Sequence, residues 1–339
     1  MKNFNGKTIL VTGASGLIGS NLIFHFIKMK NVKVIALSKS KKKLLNCFNA
    51  LKHNSNFRMI EHDISKPINM IKKKVDYIFH AAGPQESKII QQKPVDVLMP
   101  NINGTQNCLN ILVKQKKKNS FIGRLILFSS VTIYKNNSMK DLRFSEKDIF
   151  ISNNMELGNE IYSSSKMMSE LIVNAYIKQF KIDAVIARIS TVYGNTINKT
   201  DTAFFEFIKK ALSGKNIQIR DNLPPRRDNI YLDDAINGLL KISLKGKIGK
   251  PYNLSSNKGL GNFLAIDEIA KVIVKERNKE LNLNEKKIKL TFKKSFRGKR
   301  KPGVILDNSE LKKLGWKLST SFTKGIRKII KLNKYSSLS

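Results

Sequence analysis

Cysteine is nearly absent from this chain. Cys47 and Cys108 are the only two in 339 residues, too few for a disulfide framework, and no cysteine or histidine spacing suited to zinc accompanies them. Both read as buried thiols, and no metal site is expected. Long hydrophobic runs are missing too. Met1 to Lys7 carries no signal-peptide core, and the apolar stretch after Gly19 is broken at His25 and Lys28, well short of a membrane span. The expected compartment is the cytoplasm, with no membrane partner. Internal repeats and low-complexity segments are likewise absent. Acid is scarce beside base: 25 Asp and Glu face 63 Lys and Arg, for a formal charge of +38.

Such a field attracts polyanions and small anions alike. The cations are mostly scattered lysines, however, as at 41–43, 72–74 and 116–118, near expected helix ends where positive charge is favoured and solvated. No basic motif interleaved with aromatics accompanies them, so no nucleic-acid partner is expected despite the charge. With 41% hydrophobic residues the chain has material for a buried sheet, and its length suits two lobes.

Apolar runs at Thr8–Thr12, Lys33–Leu37, Phe57–Glu61, Tyr77–His80, Arg124–Ser129 and Ala184–Arg188 read as strands buried on both faces. Helical stretches alternate with them, including Leu17–Met29, Asn101–Lys116 and Tyr162–Phe180. Right-handed crossovers then predict an α/β fold, a doubly wound parallel sheet with its ligand crevice at the strand C-terminal ends. After about residue 190 turn residues become frequent, among them Pro224, Pro225, Gly246, Gly249, Gly259 and Gly261. This predicts a smaller mixed lobe. Asp228–Leu244 reads as a strand plus helix able to return to the main sheet, so the expected division is 1–189 with about 226–250 for the larger unit, and 190–225 with 251–335 for the smaller.

The stretch KTILVTGASGLIG at 7–19 is the most informative. A strand runs into a turn at Gly13, Gly16 lets backbone approach a pyrophosphate, and Gly19 lets the next helix pack close to the sheet. The free N–H groups of that helix then face an anion. Tyr162 and Lys166, four apart, share one helical face, where an ammonium favours the phenolate and makes the tyrosine a candidate general base.

These blocks, with HD at 62–63, HAAG at 80–83, NINGT at 101–105, LFSSVTIY at 127–134, YSSSK at 162–166, ARISTVYG at 187–194, RRDNIYLDD at 226–234 and LGW at 314–316, resemble the extended short-chain dehydrogenase/reductases, specifically the nucleotide-sugar epimerases and dehydratases. The resemblance covers nearly the whole chain and implies a Rossmann-type fold. It also implies catalytic Ser130, Tyr162 and Lys166, the lysine holding the nicotinamide ribose as well. Dinucleotide contacts would fall on Gly13, Ser15, Gly16, Leu17, Ile18, Gly19, Ser38, Lys39, Asp63, Ile64, Ala81, Ala82, Gly83 and Asn101, in addition to Tyr162 and Lys166. Asn101 supports the site or caps its helix. Substrate contacts would come from Ser130, Thr132, Arg227, Tyr231 and Arg300, with Arg188 a lesser candidate, and the segment at Arg227 also carries Asp228 and Asp233.

The departures from the family pattern are informative. NAD users usually end the second strand with an acid for the ribose hydroxyls; here Ser38 and Lys39 lean the expectation from NAD toward NADP. Dehydratases carry an acidic pair, and decarboxylases one acid, where this chain has Val131 and Thr132. That points to a 4-epimerase or a 4-keto-sugar reductase acting on a nucleotide-diphosphate sugar in surface-polysaccharide precursor synthesis, with a 4,6-dehydratase or decarboxylase as the alternative. The acid after the arginine is missing at Arg300. A homodimer is expected by analogy, through the helices at 101–116 and 162–180. The rival from another class is an RNA-binding protein on the same fold, which the charge allows and the intact triad opposes.

Overall fold

The computed structural model describes residues 4–84, 87–134, 140–148, 159–198, 202–219, 225–281, 286–292, 300 and 302–336. In chain order the strands are β1 (Thr8–Thr12), β2 (Lys33–Ser38), β3 (Phe57–Glu61), β4 (Tyr77–His80), β5 (Arg124–Ser130), β6 (Leu142–Phe144), β7 (Asp183–Ile189), β8 (Thr191–Tyr193), β9 (Ile217–Ile219), β10 (Arg227–Tyr231), β11 (Pro251–Leu254), β12 (Phe263–Leu264), β13 (Leu290–Phe292) and β14 (Val304–Leu306). The helices are α1 (Leu17–Ile27), α2 (Lys41–Phe48), α3 (Ser87–Gln92), α4 (Val95–Asn119), α5 (Asn159–Phe180), α6 (Ala203–Leu212), α7 (Leu232–Lys245), α8 (Ile266–Lys279), α9 (Ser309–Lys313) and α10 (Phe322–Ser336).

Seven strands form one parallel sheet in the order β11-β7-β5-β4-β1-β2-β3. The order reverses between β1 and β4, and this switch point opens a crevice beyond the strand C-termini. Alternate side chains of each strand enter two apolar layers. Ile9, Val11, Ile126, Phe128, Val185 and Ala187 pack beneath α1 and α7, while Leu10, Ile78, Leu125, Leu127, Ala184 and Ile186 pack with residues of α4 and α5 such as Leu109, Leu112 and Val173. Each large side chain so buried contributes about 1.5–3 kcal/mol. No helix of the described residues is long and apolar enough to cross a membrane.

A second, mixed sheet runs β12-β10-β14-β6 with β8 beside β10, and β9 pairs with β13. Here the structure departs from the expectation for Asp228–Leu244. Helix α7 does pack on the main sheet, but the strand before it, β10, lies in the second sheet, and the seventh main strand is β11. Its Tyr252 and Leu254 are buried beside β7, so the main sheet takes in residues expected in the smaller lobe. Beyond residue 190, α6, α8 and α10 enclose a core of their own around Phe207, Ile273 and Ile326. None of these three helices was among those expected, although their apolar positions recur at helical spacing.

Helix α4 begins at Val95, six residues before the expected Asn101, and continues through Pro100. Val97, fully buried against Ile90 and Tyr162, offsets part of the cost of the missing proline N–H by its packing. Asn101 is therefore inside the helix and does not cap it.

Candidate functional site: a dinucleotide crevice and a buried tyrosine

Gly13 ends β1 at φ +63°, and a Cβ there would lie 2.7 Å from the carbonyl carbon of Ala81. This close approach joins the ends of β1 and β4 at the switch point. The turn is pinned by Ala14 N–H to Leu37 O at 3.1 Å and Gly16 N–H to Gly13 O at 3.0 Å. No side chain caps α1, so the amides at half-exposed Leu17 and Ile18 are left for an anion. Gly19 is tighter still, because a Cβ would come within 2.4 Å of Gly13 O. Other expected dinucleotide residues are tied to one another nearby. Ser15 and Ser38 share a buried hydroxyl contact of 2.8 Å, and Lys39 meets Asp63 at 3.0 Å. Burial opposes ionisation of Asp63, but hydrogen bonds from Ser65 and Lys39 prevail and hold its carboxyl down to about 2. Ala82 N–H donates to Thr12 Oγ1. Ile64 is buried in the core against Gly104.

The three catalytic candidates converge at the end of β5. Ser130 Oγ accepts from the N–H and hydroxyl of Thr132, at 3.2 and 3.1 Å, which leaves its own proton for the Tyr162 oxygen. Neighbouring Ser129 has a buried hydroxyl without a partner among the described residues. Lys166 donates to Phe128 O at 2.9 Å and lies 5.7 Å from the Tyr162 ring centre. Burial moves both groups: it pushes the Tyr162 phenol up to about 12, against Ser130, and the Lys166 ammonium down to about 8, against Glu170. The expected lowering of the tyrosine is thus outweighed by desolvation. Asn101 gives its amide to Val97 O and Ser165 Oγ, both at 2.9 Å. Its Oδ1 is buried without a partner among the described residues and lies 2.4 Å from where a Cβ on Gly83 would stand, itself 3.5 Å from Lys166 Nζ.

The arginines divide sharply. Arg226 is bound to Glu268, and Arg300 to both oxygens of Asp267 at 2.9 Å. Arg188, expected at the substrate, is 2% exposed and locked onto Glu170, so its guanidinium does not reach a ligand. Arg227 is exposed at the start of β10, and no carboxylate among the described residues pairs with it. Tyr231 is 4% exposed and packs edge-on against Tyr193 in the second core. Asp233 pairs with Lys328, and buried Asp228 accepts from Ser256.

The family profile described as the NAD dependent epimerase/dehydratase family matches residues 9–255. The chain belongs to that family.

Among its relatives is the trifunctional UDP-glucose 4,6-dehydratase/UDP-4-keto-6-deoxy-D-glucose 3,5-epimerase/UDP-4-keto-L-rhamnose reductase of Arabidopsis thaliana, 26% identical over 97% of this chain; the chain spans about half, 47%, of that protein. A UDP-glucuronic acid decarboxylase of the same plant is 27% identical over 79% of this chain and 74% of its own. In fold, the chain is similar to an epimerase from Methanothermobacter thermautotrophicus, with a TM-score of 0.80 at 21% identity over 99% of this chain and 95% of the other.

For a member of an NAD-dependent family, the crevice fits the dinucleotide. The glycine cradle cannot accept a Cβ, the helix above it is uncapped, and Asn101 Oδ1 is an orphaned acceptor beside Gly83 and Lys166. Glu170 was missed in the sequence, although its spacing of four from Lys166 places it on the same helical face.

Proposed function

We propose that this epimerase/dehydratase-family enzyme oxidises or reduces C4 of a nucleotide-diphosphate sugar, as a 4-epimerase or a 4-keto-sugar reductase, in the making of surface-polysaccharide precursors. The observation that carries the reading is the environment of Tyr162. Ser130 is its polar partner, Thr132 supports Ser130, and no carboxylate among the described residues acts on the phenol. A nicotinamide, when bound, supplies the hydride acceptor or donor. Tyr162 takes the proton from the C4 hydroxyl or returns it, Ser130 orients the reacting oxygen, and the Lys166 ammonium favours the phenolate. Proton transfer at C5 would need another acid or base, which Val131 and Thr132 do not offer. Arg227, which pairs with no acid among the described residues, is the proposed anchor for the diphosphate.

The second reading, a 4,6-dehydratase or decarboxylase, draws on the relatives, whose names state those reactions. Incubation with NAD or NADP and either UDP-glucose or UDP-glucuronic acid, and separately with NADH or NADPH and a UDP-4-keto-6-deoxy sugar, followed by NMR of the sugar, separates the readings. A C4 epimer or NAD(P)H-dependent loss of a 4-keto group supports the first; a 6-deoxy-4-keto sugar or loss of CO2 supports the second. RNA binding with no cofactor binding would discard both.

Ser38 in place of an acid, and Lys39 with 73% of its side chain exposed, favour acceptance of the NADP 2′-phosphate. A second copy of the chain is the proposed partner, docked on α4 and α5, where Val95, Met99, Met168 and Leu171 are 60, 37, 46 and 61% exposed; light scattering tests it.

A further inference from the structure

Beneath the catalytic residues lies a continuous buried network whose hub is a single guanidinium. Arg188 on β7 grips Glu170 of α5 as a fork, Nε to Oε1 at 3.0 Å and Nη2 to Oε2 at 2.8 Å. Its remaining nitrogen, Nη1, donates to Tyr134 Oη at 2.8 Å and to Glu146 O at 2.9 Å. Tyr134 passes its proton to Asn253 Oδ1 on β11 at 2.8 Å. Asn253 closes the circuit, with its N–H on Glu146 Oε1 at 2.8 Å and its amide on Asp307 O at 3.0 Å. Every element that carries a catalytic candidate is therefore fastened to one side chain: α5 with Tyr162 and Lys166 through Glu170, and the turn after Ser130 through Tyr134. A fork between planar groups fixes rotation as well as distance.

We propose that Glu170 and Arg188 are positioning residues, whose ion pair sets the rotation of α5 that holds Tyr162 at Ser130 and Lys166 at Phe128 O. The inference rests on the reading that Ser130, Tyr162 and Lys166 carry the chemistry. Glu170 lies one helical turn beyond Lys166 and two beyond Tyr162, so a small rotation at the fork moves both side chains together. Its carboxylate also favours the charged form of Lys166. The other titratable groups facing Lys166 are Tyr162 and, on β4, His80, a buried imidazole whose pKa is brought down to about 3 by burial and which is neutral across the working range.

The test uses NADH, whose binding is read by fluorescence between pH 6 and 10, on wild type, Glu170→Gln, Glu170→Asp, Arg188→Lys and Lys166→Met, with melting temperature recorded for each. Lys166→Met is expected to weaken NADH about tenfold or more, the loss of a charge-assisted hydrogen bond. In Glu170→Gln the alkaline loss of NADH binding moves to lower pH, because the ammonium has lost its stabilising carboxylate. Glu170→Asp and Arg188→Lys retain the charges and lose the fork. In them the pH midpoint stays put, while turnover of UDP-glucose or UDP-glucuronic acid per folded molecule falls about 10–100-fold, the scale of a misplacement near 1 Å. A purely structural pair would lower the melting temperature and leave both the NADH midpoint and kcat of the folded fraction unchanged; that result overturns the proposal. Should Glu170→Gln not fold, unchanged kcat in Glu170→Asp and Arg188→Lys overturns it equally. If Lys166→Met binds NADH as wild type does, the reading of the catalytic set has failed, independently of Glu170.

Discussion

Thr132 gives Ser130 both of its hydrogens, the amide at 3.2 Å and the hydroxyl at 3.1 Å, and so directs the serine proton toward Tyr162. In Thr132→Val the amide remains and the hydroxyl is lost. A hydrogen bond of this kind is worth about 1 kcal/mol net, so kcat is expected to fall about fivefold with KM and melting temperature little changed. Steady-state kinetics on the substrate identified by NMR checks it, and an unchanged kcat would separate Thr132 from the proton path.

The pH profile follows from two buried groups of opposite charge. The Tyr162 phenol is held up to about 12 and the Lys166 ammonium down to about 8. The phenolate fraction grows tenfold per pH unit below 12, while the ammonium fraction is full below 8 and declines tenfold per unit above it. Their product rises with unit slope to about pH 8 and then levels. Measurement of kcat/KM from pH 6 to 10 should show that bend; Tyr162→Phe should lose about 100-fold or more in kcat at every pH and still bind cofactor. A rate that falls with pH below 8 would remove Tyr162 as the base.

Lys39 is held by Asp63, whose carboxyl stays ionised down to about pH 2. Any phosphate at Ser38 competes with that carboxylate for the lysine. Asp63→Asn is therefore expected to shift the preference for NADPH over NADH upward by about two- to fivefold, the scale of an exposed ion pair. Parallel thermal-shift titrations decide the matter. Equal gains for both cofactors would show that Lys39 does not read the 2′-phosphate.

Asp228 binds its proton more tightly in the fold than in the unfolded chain. Burial raises its pKa from 3.8 to about 6, with Oδ2 left without a partner among the described residues. Between those values the folded state holds the extra proton, so stability declines as pH rises through the window, by on the order of 2–3 kcal/mol from this group. Asp228→Asn should remove that slope. Melting curves at pH 4.5 and 7.5 are the check: the variant gains on wild type at the higher pH, and parallel curves would refute the assignment.

Much of the main sheet was legible from local pattern. The first six strands read within a residue or two, because strands apolar on both faces leave short, unbroken hydrophobic runs. The glycine turn at Gly13, the Tyr162–Lys166 pair and the family itself were legible for a related reason: each is a fixed spacing within a few residues. Long-range register was not. That β11 joins the main sheet while β10 leaves it depends on pairings between residues far apart in the chain, and nothing in either segment alone specifies its neighbour.

The roles of charged side chains divide in the same way. By itself the sequence determined that this is a parallel α/β chain of the epimerase/dehydratase type, with an intact Ser130, Tyr162 and Lys166 set and no acid at Val131 or Thr132. Only the tertiary structure decided which arginine is free. Arg188, Arg226, Arg227 and Arg300 are equal cations in a sequence, but three of them meet a carboxylate in the fold and Arg227 meets none among the described residues. The reason is physical: an arginine's function is set by what shares its surroundings after folding, and ion pairs such as Arg188–Glu170 form between elements brought together by the burial of apolar surface.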